Sequence, residues 1–222
     1  MNFYYIVTDA GRRKRYTWSF PAYGYPGEAV SCEKCKRRWI SYDKLYEENT
    51  PFPIVFVGDY FSDFLSCEGL KLVNENVKKT FEEKGIKSPF FSRMSVVTKN
   101  DMTKEQYRDY ARRKGYDIAR KFHNEQPVYY WLGAKTDAKY HKDSNVILID
   151  SGNDVCKHCG YGVRYASKNY SDPDYIDLSS WGGNDIFRVT GLGVGLYCTE
   201  KVKKLCEEHG FTGVSFVEIE AR

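Results

Sequence analysis

The sequence predicts an α+β protein of two similar halves, each with strands and one helix, joined by a connecting helix and clamped by a shared four-cysteine zinc site. Three pairs of matched segments, in the same order along the chain, carry the prediction. Phe3-Tyr4-Tyr5-Ile6-Val7 reads against Val128-Tyr129-Tyr130-Trp131-Leu132, 125 positions on, both strand-like aromatic and β-branched runs. Cys32-Glu33-Lys34-Cys35 reads against Cys156-Lys157-His158-Cys159, 124 positions on. Glu75 to Ile86 reads against Glu200 to Phe211 at 125 again, with seven of twelve residues identical. One single-residue gap reconciles the three, and a period of this size sets how every later motif is read.

The helices are the best-specified elements. Asn74 and Thr199 stand at N-cap positions, and Glu75 and Glu200 suit the positive end of a helix dipole. Gly85 and Gly210 stand where a left-handed residue ends a helix, with Ile86 and Phe211 folding back onto Phe81 and Cys206. The alignment sets Cys206 against Phe81 and Cys198 against Val73, so both cysteines read as apolar core positions, whereas Cys67 has no partner and stays open. Further strands are expected at about 54–57, 93–98, 145–149 and 215–219. Residues Thr103 to Asn124 form the connecting helix, on the spacing of Tyr107, Tyr110, Ala111, Ile118 and Phe122. The organisation is therefore 1–98, 99–126 and 127–222, within one compact domain or as separate units.

Composition limits the function classes. The chain has 222 residues, is 41% hydrophobic, and its 34 Lys and Arg against 30 Asp and Glu leave a charge of only +4. An aromatic share of 16% argues against disorder. No apolar run approaches the roughly 20 residues of a membrane span. The amino-terminal order, apolar then basic at Arg12 to Arg15, is the reverse of a signal peptide. Seven cysteines are an odd number for a secreted disulfide framework, so a cytoplasmic location is expected.

The cysteine pairs Cys32/Cys35 and Cys156/Cys159 together supply the four thiolates that structural Zn²⁺ favours, one ion per chain. Gly160 offers the left-handed position after the second pair, whereas Lys36 follows the first. A redox dithiol and a chance spacing are the alternatives. No nucleophile elbow, P-loop or zincin motif is present, and Gly191 to Gly195 lacks dinucleotide spacing, which shifts weight from catalysis to binding. Basic runs at Arg12 to Arg15 and Lys36 to Arg38 keep a zinc-ribbon nucleic-acid binder open, although the charge balance does not favour it. From Tyr170 to Phe187 the chain carries Asp172, Asp174, Asp177 and Asp185 with Tyr170, Tyr175, Trp181 and Phe187. That segment is either a long loop with core aromatics and turn-capping aspartates, or an aromatic and acidic surface for a basic cleft on a partner.

The pairs Cys32/Cys35 and Cys156/Cys159-Gly160, the segment Trp181-Gly182-Gly183-Asn184-Asp185-Ile186-Phe187, and Cys198-Thr199-Glu200-Lys201-Val202 through Phe211-Thr212-Gly213-Val214 resemble the double-CxxCG immunity proteins of bacterial polymorphic toxin systems. Lys36 departs from the pattern, which has glycine there. The resemblance implies a non-enzymatic cytoplasmic protein that binds a cognate toxin and blocks its active site, with Tyr170, Asp172, Asp174, Tyr175, Asp177 and Asp185 as the candidate contact residues.

Overall fold

The computed structural model describes residues 1–8, 18–21, 29–34, 36, 38–40, 52–58, 60–67, 70–114, 121–122, 124–125, 127–144, 146–150, 163–167, 174–190 and 195–222. Among them the strands are β1 (Phe3–Thr8), β2 (Trp18–Pro21), β3 (Ala29–Ser31), β4 (Arg38–Ile40), β5 (Phe52–Val57), β6 (Phe64–Cys67), β7 (Leu70–Asn74), β8 (Pro89–Val96), β9 (Tyr129–Ala134), β10 (Thr136–Tyr140), β11 (Val146–Asp150), β12 (Val163–Ser167), β13 (Tyr175–Asp177), β14 (Ile186–Thr190), β15 (Tyr197–Thr199) and β16 (Val214–Ala221). The α-helices are α1 (Glu75–Glu83), α2 (Lys104–Lys114) and α3 (Glu200–Glu208). The protein is thus mostly β, which overturns the α+β expectation. Strands as short as β6 and β15, nearly all buried, show no polar and apolar alternation by which a sequence reading could find them.

The strands close into two six-membered rings. The carboxy-terminal barrel runs β1-β15-β14-β10-β13-β16. The amino-terminal sheet runs β2-β5-β8-β9-β7-β6 and curls until β2 meets β6 at a single register pair, Ser19 with Cys67. Each ring has the same senses in the same order: β14·β10 and β13·β16 are parallel, as are β6·β2 and β5·β8, and every other pairing is antiparallel. Matching the rings places β1 where β9 stands. The chain's first strand therefore completes the barrel of its second half, and the second half's first strand completes the sheet of the first. This corrects the expectation of two halves joined by a connecting helix and clamped by zinc, because exchanged strands and a common core already join them.

Register refines the sequence alignment. β1 lies between β15 and β16 with Phe3 opposite Thr199 and Ile219, and β9 lies between β7 and β8 with Tyr129 opposite Asn74. Phe3 therefore matches Tyr129, one position beyond the alignment read from sequence. The same comparison pairs Cys67 with Val189, both buried in their ring interiors, and so settles Cys67 as an apolar core position.

Both helices form at the expected caps. The Asn74 side chain accepts from the Val77 N–H at 3.0 Å, whereas the Thr199 hydroxyl makes no cap bond and instead donates to Asp185 Oδ1 at 3.2 Å. Gly85 and Gly210 take φ of +58° and +62°, and the N–H groups of Ile86 and Phe211 donate to the carbonyls of Phe81 and Cys206 at 2.9 and 3.0 Å. Val77, Phe81, Val202, Leu205 and Cys206 pack into one cluster with Tyr4, Ile6, Phe64, Leu132 and Cys198, between the rings. Lysines on the two helices sit over matched tyrosines, Lys78 over Tyr130 at 4.8 Å and Lys203 over Tyr4 at 5.2 Å.

The connecting helix is shorter than expected. It covers Lys104–Lys114, and Phe122 instead pairs with Val57 in an isolated bridge while packing with Tyr110 and Ala111. Ile118 lies outside the described residues.

Reciprocal aspartates fasten the rings to each other. Asp63 precedes β6 and its Oδ2 accepts from the Thr212 N–H and hydroxyl, both at 2.8 Å, beyond the end of α3. Asp185 precedes β14 and its Oδ2 accepts from the Lys87 N–H at 2.9 Å, beyond the end of α1. Thr212 and Lys87 are equivalent, so each half's aspartate holds the other half's post-helical loop.

Candidate partner face and metal turns

Two two-stranded ribbons stand outside the rings. β3 and β4 pair from Ala29 with Ile40 to Ser31 with Arg38, and Cys32 directly follows β3. β11 and β12 form the matching ribbon, whose connection carries Cys156 and Cys159. Cys35, Cys156 and Cys159 lie outside the described residues. Cys32 is 4% exposed although Ser31, Glu33, Lys34 and Lys36 around it face solvent. The Lys36 N–H donates to the Cys32 carbonyl at 2.9 Å, and Lys36 takes φ +58°. Lysine thus takes a left-handed conformation at the position after the first pair, at a cost of about 1–2 kcal/mol for a residue bearing a Cβ. Among the described residues no group of three or more His, Cys, Asp or Glu side chains is placed to hold a metal.

The remaining cysteines behave as hydrophobes. Burial pushes the Cys206 thiol up to about 12 and the Cys198 thiol well above its ordinary value. Thiols so strongly protonated are poor metal ligands.

The acidic and aromatic segment divides into a structural and a half-buried part. Trp181 packs edge-on against Phe3 at 5.1 Å and donates from its indole to the Asn184 carbonyl at 3.1 Å, while Phe187 is fully buried. Gly182 is needed for close approach, since a Cβ there would fall 2.3 Å from Asp137 Oδ1. Asp185 is 8% exposed and bonds Lys87, Thr199 and Lys201 within the fold. Asp177 caps a 3-10 turn, accepting from the Ser179 N–H at 3.0 Å. Tyr170 and Asp172 lie outside the described residues.

Tyr175 is half-buried at the outer face of β13, and Asp174 before it lies near Tyr197. Parallel pairing of β13 with β16 sets Tyr175 beside Glu220, and the Arg222 guanidinium lies 3.6 Å from the centre of the Tyr175 ring. Arg222 also reaches Glu220 at 3.2 Å and Asp143 at 3.8 Å. Ser144 holds the strand by accepting from the Tyr175 N–H at 2.9 Å and donating to its carbonyl at 2.8 Å. Asp174 Oδ1 is buried with no hydrogen-bond partner, and burial raises this carboxyl above the usual carboxylate range. Sequence reasoning missed Arg222, Glu220 and Asp143, because the β13·β16 pairing brings the first two to Tyr175 and the β10·β13 pairing brings the loop that carries Asp143. The resulting face is a half-buried aromatic ring ringed by carboxylates and one arginine.

No helix among the described residues is long and apolar enough to cross a membrane. No protein-family model and no curated protein matches the chain.

Proposed function

We propose that this protein is a cytoplasmic immunity protein: it is not an enzyme, and it neutralises a cognate antibacterial toxin domain by covering its active site. The observation that carries the reading is the motif set of two CxxC pairs, the Trp181 to Phe187 segment and the Cys198 to Val214 segment, in this order. The face around Tyr175 supports it, since an aromatic anchor beside Asp143 and Glu220 suits cationic groups in a toxin's substrate cleft. The interface of a tight inhibitor buries about 1,600 Å², so this face is one part of a larger surface.

The test is copurification with the product of the neighbouring gene, followed by titration of variants. A Tyr175→Ala, Asp174→Ala double variant is expected to bind the toxin more weakly by about 2 kcal/mol or more, roughly thirtyfold, with little change in melting temperature. Full protection by that variant at native expression level places the interface elsewhere. Tight nucleic-acid binding that falls steeply with salt overturns the reading in favour of a zinc-ribbon nucleic-acid binder.

As cofactor we propose one Zn²⁺ per chain, held by Cys32, Cys35, Cys156 and Cys159 as a local staple of the two ribbons. The turn at Cys32 and Lys36 supports it. Elemental analysis of protein purified without added metal is expected to find one zinc per chain; none, or two, overturns the shared site.

A further inference from the structure

The two exchanged strands differ in how they are tethered. β9 is followed at once by β10, with only Lys135 between them, so it cannot leave its ring without disturbing the next strand. β1 is joined to β2 by residues 9–17, and its strand pairings lie wholly in the other ring. Six consecutive pairs bind it to β16, from Phe3 with Ile219 to Thr8 with Val214, and three bind it to β15. Phe3 is fully buried against Trp181 and Phe187, and Ile6 is 1% exposed in the central core. The slot between β15 and β16 is therefore a strand-binding site that β1 fills.

We infer that this slot accepts β1 from a second copy of the chain, so that two molecules associate by reciprocally exchanging residues 3–8. Every contact that β1 makes with β15, β16 and Trp181 is the same whether the strand arrives in cis or in trans. What favours the monomer is the local concentration set by the connecting segment, and a tether of nine residues sets an effective concentration of the order of millimolar. Exchange then competes as protein concentration approaches that value, and a shorter tether tips the balance towards dimer. Extraction of Phe3 from the core makes the interchange slow, so monomer and dimer separate as distinct species.

The ladder supplies a reporter. Tyr4 lies opposite Cys198, and opposed Cα atoms in an antiparallel pair, about 4.5–5.5 Å apart, fall within disulfide range. The full-length Tyr4→Cys variant, refolded and then oxidised, is expected to cross-link within one chain at about 1 µM and between chains in a large fraction of molecules near 1 mM. Deleting residues 11–15 leaves a tether of four residues, which reaches at most about 18 Å, and is expected to lower the concentration for dimer formation a hundredfold or more. The unsubstituted chain provides a check independent of cysteine. Two mass-labelled preparations refolded together at 1 mM are expected to give mixed dimers in native mass spectrometry. Exclusively intrachain cross-links with no mixed dimers at 1 mM overturn the inference, and so do dimers that form without linking position 4 to Cys198.

Discussion

Replacing Gly213 by alanine is expected to cost about 3 kcal/mol or more, read as a lower urea midpoint at unchanged slope. Gly213 has φ +78°, which costs a residue with a Cβ about 1–2 kcal/mol. Space makes it worse. An added Cβ would fall 2.2 Å from the Phe64 carbonyl oxygen and 2.8 Å from Ser62 Cβ, and the carbonyl belongs to a buried strand that cannot retreat. Forcing such an overlap costs about 1–3 kcal/mol more. The equivalent position in the first half is Ser88, also left-handed at φ +76°. Ser88→Gly relieves the strain but gives the unfolded chain more freedom, so the net gain is about 0.5 kcal/mol or less. A Gly213→Ala midpoint close to that of the unsubstituted protein would contradict the close approach of β6 to the post-α3 loop.

Removal of the Asp185 carboxylate is expected to be nearly as damaging. Asp185→Ala leaves the Lys87 N–H and the Thr199 hydroxyl without their acceptor and the Lys201 ammonium without its ion pair at 3.0 Å. Leaving the buried Thr199 hydroxyl and the part-buried Lys87 N–H unpaired costs about 2–3 kcal/mol, the half-exposed Lys201 adding little, whereas Asp185→Asn keeps an acceptor oxygen and is expected to lose about half of that. Asp63→Ala severs the matching contacts to Thr212 and Asn74. Chemical denaturation of the two single variants and their combination measures both clasps. If Asp185→Ala weakens toxin binding without lowering stability, its carboxylate serves the partner and not the fold.

Helices α1 and α3 and their stops were legible in the sequence, because capping and left-handed termination are local: Asn74, Gly85 and Gly210 act within five residues of where they stand. The sequence also determined that Cys198 and Cys206 are core positions, through alignment with Val73 and Phe81, and it located six strands whose apolar runs are long enough to read. Tertiary structure alone decided the rest. The rings depend on pairings between residues far apart, such as Phe3 with Ile219 or Lys71 with Leu132, and no local pattern encodes which distant strand completes a sheet. Asp185 looks like any exposed aspartate in a polar segment until β14 carries it beneath Lys87. Tyr175 acquires Arg222 only through the parallel β13·β16 pair, and Asp143 only through the antiparallel β10·β13 pair. Lys36 shows the boundary between the two. The missing glycine is legible in sequence, but the left-handed turn forms there regardless, because backbone strain of about 1–2 kcal/mol is small beside what the surrounding fold can impose.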